Sequence, residues 1–244
     1  MNADLLLWLS VLIFLVAMLY ASVGHAGASG YIAVMSLLSL SPEFIRPTAL
    51  TLNILVASLG TWQFARAGHF SWRTFWPFAA LAPLTAFVGG YLALPAQVFK
   101  VIIGGVLLFS AWQLLVRIHV EQAARLPRVP VALATGAALG LLSGLTGTGG
   151  GIFLTPLLLL MGWATPKTAA AVSALFILMN STTGLIGNVV STGRFPDFAL
   201  PLLLAAGVGG LAGAHFGSHR ASSRAIKALL AAVLVVAGIK LLLF

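Results

Sequence analysis

The chain has 244 residues, of which 60% are hydrophobic and 7% charged; an ordinary globular domain carries about 25% charged residues, so a soluble surface cannot be built here. It contains no cysteine, which excludes disulfides, thiolate metal sites and cysteine nucleophiles. The formal charge of +9 does not point to nucleic acid, because the basic residues stand singly or in short groups between apolar runs instead of forming one patch or helical stripe.

The first apolar run, Leu5 to Val23, is long enough to cross a bilayer as a helix. It is apolar all round, unlike the alternating strands of a transmembrane barrel. Met1-Asn2-Ala3-Asp4 precedes it with an acid and no Lys or Arg, so the basic start of a secretory signal is missing and the segment is expected to stay in the mature protein. In all, ten apolar segments can be drawn, at roughly 5–23, 30–41, 44–66, 73–93, 97–118, 130–144, 150–162, 168–190, 198–216 and 225–243. The breaks between them, such as Ser41-Pro42-Glu43, Ala67-Gly68-His69, Leu94-Pro95, Thr165-Pro166-Lys167 and Thr192-Gly193-Arg194, are turn and helix-end signals. No break is long enough for a soluble domain. The predicted fold class is an all-α polytopic membrane protein.

The two halves read as a duplication. Gly27-Ala28-Ser29-Gly30-Tyr31-Ile32 faces Gly149-Gly150-Gly151-Ile152-Phe153, and Thr48-Ala49-Leu50-Thr51 faces Ala170-Ala171-Val172-Ser173, both at an offset near 122. Gly68-His69-Phe70 faces Gly193-Arg194-Phe195, and Gln113-Leu114-Leu115 faces Lys240-Leu241-Leu242, at 125 and 127. Each half holds about five helical segments, so the second must insert upside down. That holds whether all five cross or each short leading pair makes a re-entrant hairpin. With the central loop in the cytoplasm, Arg66, Arg73, Arg117, Arg125, Arg128, Lys167, Arg220, Arg224 and Lys227 fall inside, nine of the thirteen Lys and Arg residues. Arg46, Lys100, Arg194 and Lys240 stay outside, together with Asp4, Glu43 and Asp197. The expected organisation is two inverted-topology repeats, 1–120 and 130–244, joined by a cytoplasmic linker at 121–129, with both termini extracytoplasmic.

Two Gly-rich breaks are the foremost candidate site: Gly24-His25-Ala26-Gly27-Ala28-Ser29-Gly30 and Gly144-Leu145-Thr146-Gly147-Thr148-Gly149-Gly150-Gly151. Each precedes a short apolar run of about 15 Å helical length, half a bilayer. Such a broken or re-entrant helix presents unpaired N–H groups and a partial positive charge at its N-terminus, an anion site needing no buried cation. Inverted-repeat transporters place substrate between broken helices near the midplane. The competing reading of these glycines is close helix packing. Thr51 and Asn53 in one half, with Ser173 and Asn180 in the other, are the expected lining residues, each of them equally suited to interhelical hydrogen bonding. His25 is either a proton carrier or a structural histidine.

No metal site is expected, because His69, His119, His215 and His219 lie in loops or at helix ends and the chain has only four acids. No cofactor and no catalytic residue is assigned. The rival from another class is a rhomboid-like intramembrane serine protease, with Gly27-Ala28-Ser29-Gly30 supplying Ser29 and Ala214-His215-Phe216-Gly217 supplying His215. The long separation of the pair weighs against it, as does Gly151 standing where the repeat would need a serine.

The stretch Thr148-Gly149-Gly150-Gly151-Ile152-Phe153-Leu154-Thr155-Pro156 resembles the second-half signature of the TauE/SafE sulfite exporter family. Thr165-Pro166-Lys167-Thr168-Ala169-Ala170-Ala171-Val172-Ser173, the first break and Arg46-Pro47-Thr48-Ala49-Leu50 fit the same pattern, so the resemblance covers nearly the whole chain. Two features depart from it. The first break reads His-Ala-Gly-Ala-Ser-Gly instead of a plain glycine run, and Met35 or its neighbours stand where a first-half proline would match Pro156. The resemblance implies export of a small sulfur-containing anion, such as sulfite or an organosulfonate, across the bacterial inner membrane. The partners it implies are that anion and the lipid bilayer. Proton coupling and a homo-oligomer are compatible with the sequence and stay open.

Overall fold

The computed structural model describes residues 3–22, 25–115, 126–193, 200–217, 231, 234–236 and 238–243. Among them are the helices α1 (Ala3–Ser22), α2 (Ala28–Leu37), α3 (Pro42–Arg66), α4 (Trp72–Ala79), α5 (Ala82–Tyr91), α6 (Ala96–Leu115), α7 (Val129–Thr146), α8 (Gly151–Leu160), α9 (Pro166–Thr192) and α10 (Leu200–Gly217). Residues 234–236 and 238–243 are helical as well, and no strand occurs among the described residues. α1, α3, α7 and α9 carry spans long and apolar enough to cross a membrane.

The ends of these helices follow from local chemistry. α3 opens with Pro42 in its first turn beside Glu43 and closes with Arg66 in its last turn, charges that suit the helix dipole at each end. α9 opens with Thr165, whose side chain accepts from the Thr168 amide, and ends at Gly193 in the left-handed conformation. The segment expected as one helix over 73–93 is two, α4 and α5, with a turn at Ala80 and Leu81. Pro83 enters the first turn of α5 and has no N–H to carry the helical ladder back across that turn.

Packing crosses the halves of the sequence. α1 lies against α10, α5 is held between α7 and α9, and α3 packs along α9. The α3–α9 contact is antiparallel. Asn53 approaches Ser181, while a Cβ on Gly60 would stand 3.7 Å from the Ala174 Cβ and one on Gly184 would stand 3.6 Å from Leu50 Cδ2. One apolar core draws on α1, α2, α3, α6 and α10, with Ile177 of α9 and Ala231 and Leu234, and the other on α4, α5, α7, α8 and α9.

Glycine rows make these contacts close. On α7, Gly136, Gly140 and Gly144 lie against the carbonyls of Phe78, Ala82 and Ala86; on α10, Gly209 and Gly213 lie against those of Phe14 and Met18. An added Cβ at any of them would collide with backbone, which cannot swing away as a side chain can. In lipid, burying apolar surface between helices gains little, so association rests on this dense van der Waals contact. Large apolar side chains such as Leu7, Trp8, Leu84, Val88, Leu204 and Val208 point outward, as they do where the surroundings are acyl chains.

Candidate functional site

α7 stops at Thr146 because Gly147 turns left-handed, with φ 81°. Gly149 and Gly150 follow at φ 75° and 77°, and α8 starts directly after them. At Gly149 the requirement for glycine is double: a Cβ there would lie 2.8 Å from Ile177 Cγ2 and 2.9 Å from both Asn53 Nδ2 and Ser181 Oγ. The break is fastened by hydroxyls. Thr146 Oγ1 donates to the Leu142 carbonyl at 2.6 Å, lies 2.9 Å from Thr148 Oγ1, and accepts from the Thr148 amide at 3.3 Å.

The first break has one left-handed residue, Gly27 at φ 97°, which opens α2. From Ala28 to Ser36, α2 is buried throughout, and like α8 it has ten residues. Ser29 Oγ pairs with Tyr20 Oη at 2.8 Å. The far end of α2 is capped by Lys240, whose Nζ donates to the Leu37 carbonyl at 2.8 Å, the Ser36 carbonyl at 3.3 Å and Ser39 Oγ at 3.0 Å. A cation at a helix C-terminus complements the dipole whose positive end lies at the break.

The two breaks meet. His25, Gly27, Ser29 and Thr148 line one small space with Tyr20, Ile152 and Ile177. Beside it opens a cavity of about 420 Å³ whose lining includes His25, Val56, Gly60, Thr155, Ser173 and Ile177. Gln63, His69 and Lys167, from the end of α3 and the start of α9, also line it, and Lys167 is exposed. His25, Ala26 and Ile177 border both spaces and form the partition between them. Within the larger cavity, Thr155 Oγ1 donates to Ser173 Oγ at 2.8 Å.

The other expected residues are distributed as follows. Asn53 is fully buried; its Nδ2 lies 3.5 Å from the Gly147 carbonyl and 3.4 Å from Ser181 Oγ, and its Oδ1 has no partner among the described residues. Asn180 is equally buried, with neither end of its amide partnered among them. Thr51 donates to the Pro47 carbonyl and lines neither space. Gly30 faces α1, where a Cβ would stand 2.7 Å from Tyr20 Cε2, so its role is packing. Gly150 and Gly151 lie against Phe176 and Ile177. Gly24 falls outside the described residues, as does the side chain of His215. Ser29, the serine of the protease alternative, pairs with the Tyr20 hydroxyl.

Sequence reasoning missed Arg46. It was counted only as an outer-side charge at the start of segment 44–66, yet it sits inside α3 with 7% of its surface exposed. Its Nη1 donates to the Leu92 carbonyl at 2.9 Å and its Nη2 to the Gly90 carbonyl, closing the C-terminal end of α5. Its Cγ would stand 3.3 Å from a Cβ on Gly147, so a buried cation lies against the second break after all. Tyr20, Tyr31 and Ile177 were also missed, because nothing in a helical pattern distinguishes an aromatic or an isoleucine turned toward a break from one turned toward the core.

The family model described as sulfite exporter TauE/SafE matches residues 9–241. The chain is 42% identical over 240 residues to the probable membrane transporter protein y4hK of Sinorhizobium fredii, covering 96% of this chain and 97% of that one. It is 31% identical over 112 residues to the probable membrane transporter protein YunE of Bacillus subtilis, covering 46% and 41% of the two chains. No solved structure gives a significant match. With its apolar helices and the two breaks they enclose, the chain belongs to the TauE/SafE sulfite exporter family of membrane transporters.

Proposed function

We propose that the chain is a secondary transporter that moves a small sulfur-containing anion, sulfite or an organosulfonate, across the inner membrane. The observation that carries this reading is the meeting of two Gly-rich breaks, each opening a ten-residue helix, in one space lined by hydroxyls. Orphan N–H groups and the positive ends of two helices then converge on one anion.

The route is as follows. The anion enters the cavity past Lys167 and His69, whose side carries the larger share of Lys and Arg and is the cytoplasm. It passes Thr155 and Ser173 and reaches the partition of His25, Ala26 and Ile177. Binding at the breaks, and then rocking of the repeats about the α3–α9 crossing, delivers it to the other side. The reciprocal packing of α1 on α10 and of α5 on α7 supports two inverted repeats, 1–120 and 130–244; in this reading the distribution of Lys and Arg leaves both termini outside. Arg46 and Lys240, both on the outer side in this topology, are engaged as helix caps, which fits a state closed outward and open inward. His25 is the proton carrier if transport is coupled to protons; His25→Ala with an unchanged flux profile between about pH 5 and 8 excludes that part.

The test is flux of sulfite and sulfoacetate in proteoliposomes. Thr148→Val keeps the shape of the side chain and removes one hydroxyl from the site. It is expected to cut flux about tenfold, the loss of one hydrogen bond to a charged group. Gly150→Leu is expected to abolish it. Unchanged flux in both variants means that the site lies elsewhere.

A further inference from the structure

We propose that the Tyr31 hydroxyl is a substrate-binding donor at the first break, where it and the first N–H groups of α2 together hold an oxygen of the anion. This rests on the transport reading above and names a residue that the Gly-rich motif does not contain.

Tyr31 is fully buried, and its hydroxyl has no hydrogen-bond partner among the described residues. The side chain leans toward the start of its own helix, as long side chains in helices do. Its Cζ and Oη therefore lie 2.9 Å from where a Cβ on Gly27 would stand. That brings a neutral O–H beside the residue that opens α2, where the helix N–H groups have no carbonyls to bond. Tyr20, its neighbour, has already committed its hydroxyl to Ser29 at 2.8 Å.

A buried hydroxyl without a partner is unfavourable for the unliganded fold, and the fold does not require this one. Leu154 takes the matching place in α8, fourth from the helix start and fully buried as Tyr31 is. The other half of the repeat thus fills this place with no polar atom. An anionic oxygen supplies the missing acceptor, and a phenol buried away from water beside the helix start is a strong donor to it. A phenol O–H and helix N–H groups converging on one place suit an anionic oxygen that accepts several hydrogen bonds, as on a sulfite or a sulfonate.

The decisive variant is Tyr31→Phe in the full-length protein, read by two measurements. Thermal unfolding without anion is expected to be unchanged or shifted upward, since only an unpartnered hydroxyl is lost. Binding of whichever of sulfite, thiosulfate, sulfate and sulfoacetate the wild type takes is expected to weaken about tenfold or more, with flux falling in parallel. Wild-type binding in Tyr31→Phe overturns the proposal. A lower unfolding temperature without anion also overturns it, because the hydroxyl then has a structural partner. Thr148→Val separates the two levels: if that variant loses binding while Tyr31→Phe keeps it, the transport reading stands and the role of Tyr31 falls. A wild type that binds none of the four anions defeats both.

Discussion

The first break, though Thr148, Ile152 and Ile177 lie beside it, takes its hydroxyl pair and its nearest ring from its own half: Tyr20 from α1, Ser29 and Tyr31 from α2, with Gly27 as its one left-handed turn. The second break has three left-handed glycines and borrows its neighbours from the other half, Asn53 and Arg46 of α3. One can therefore travel as a unit with its own half, whereas the other is braced across the molecule. Any motion of one repeat against the other must remake the contacts of Asn53 with Gly147 and Ser181 and the packing of Arg46 on Gly147, and can leave Tyr20–Ser29 and the bonds of Arg46 to α5 intact. The halves share a backbone design, and the asymmetry lies in which side chains support each turn.

Glycine substitution tests that contrast most severely. Gly149→Ala meets the fixed neighbours Ile177, Asn53 and Ser181 at a φ of 75°. It should destabilise by about 1–2 kcal/mol for the left-handed backbone and by about 1–3 kcal/mol more for overpacking. Gly27→Ala also carries a positive φ, but meets the far end of the Tyr31 ring. Its melting temperature in detergent should drop less, and an equal or larger drop breaks the contrast.

Arg46→Gln comes next. It takes charge-assisted bonds from the Gly90 and Leu92 carbonyls, each worth about 1.5–3 kcal/mol. Flux should fall sharply with a smaller loss of stability, and Arg46→Lys should restore part of both. If Arg46→Gln transports normally, the tie between α3 and the end of α5 within the first half has no part in the cycle. Lys167→Ala is the mildest of the three. Exposed at the cavity mouth, it should raise the apparent KM about two- to threefold at low salt, an effect that fades as salt screens the charge. A salt-independent change would place Lys167 in the binding step itself.

The sequence made the breaks legible because glycine is the residue that punctuates a helix, and a cluster repeated at one offset marks a repeated turn. It also gave two short helices of half-bilayer length, found as α2 and α8. Segment 73–93 was read as continuous, since its apolar run hides the turn that Pro83 imposes. Gly30 was counted with the site, but packs on α1 like the glycine rows of α7 and α10. A glycine needed for close approach and one needed for a left-handed turn look the same in a string of letters.

What the sequence by itself determined is the membrane environment, the helical class and the positions of the two breaks, because hydropathy and glycine act over a few residues at a time. Tertiary structure alone decided what surrounds those breaks. Arg46 reaches carbonyls 44 and 46 residues away, and Asn53 reaches one 94 residues away. Such contacts depend on which helix faces lie together, and in lipid that choice is made by backbone fit between helices, a property of pairs of segments that no single segment carries.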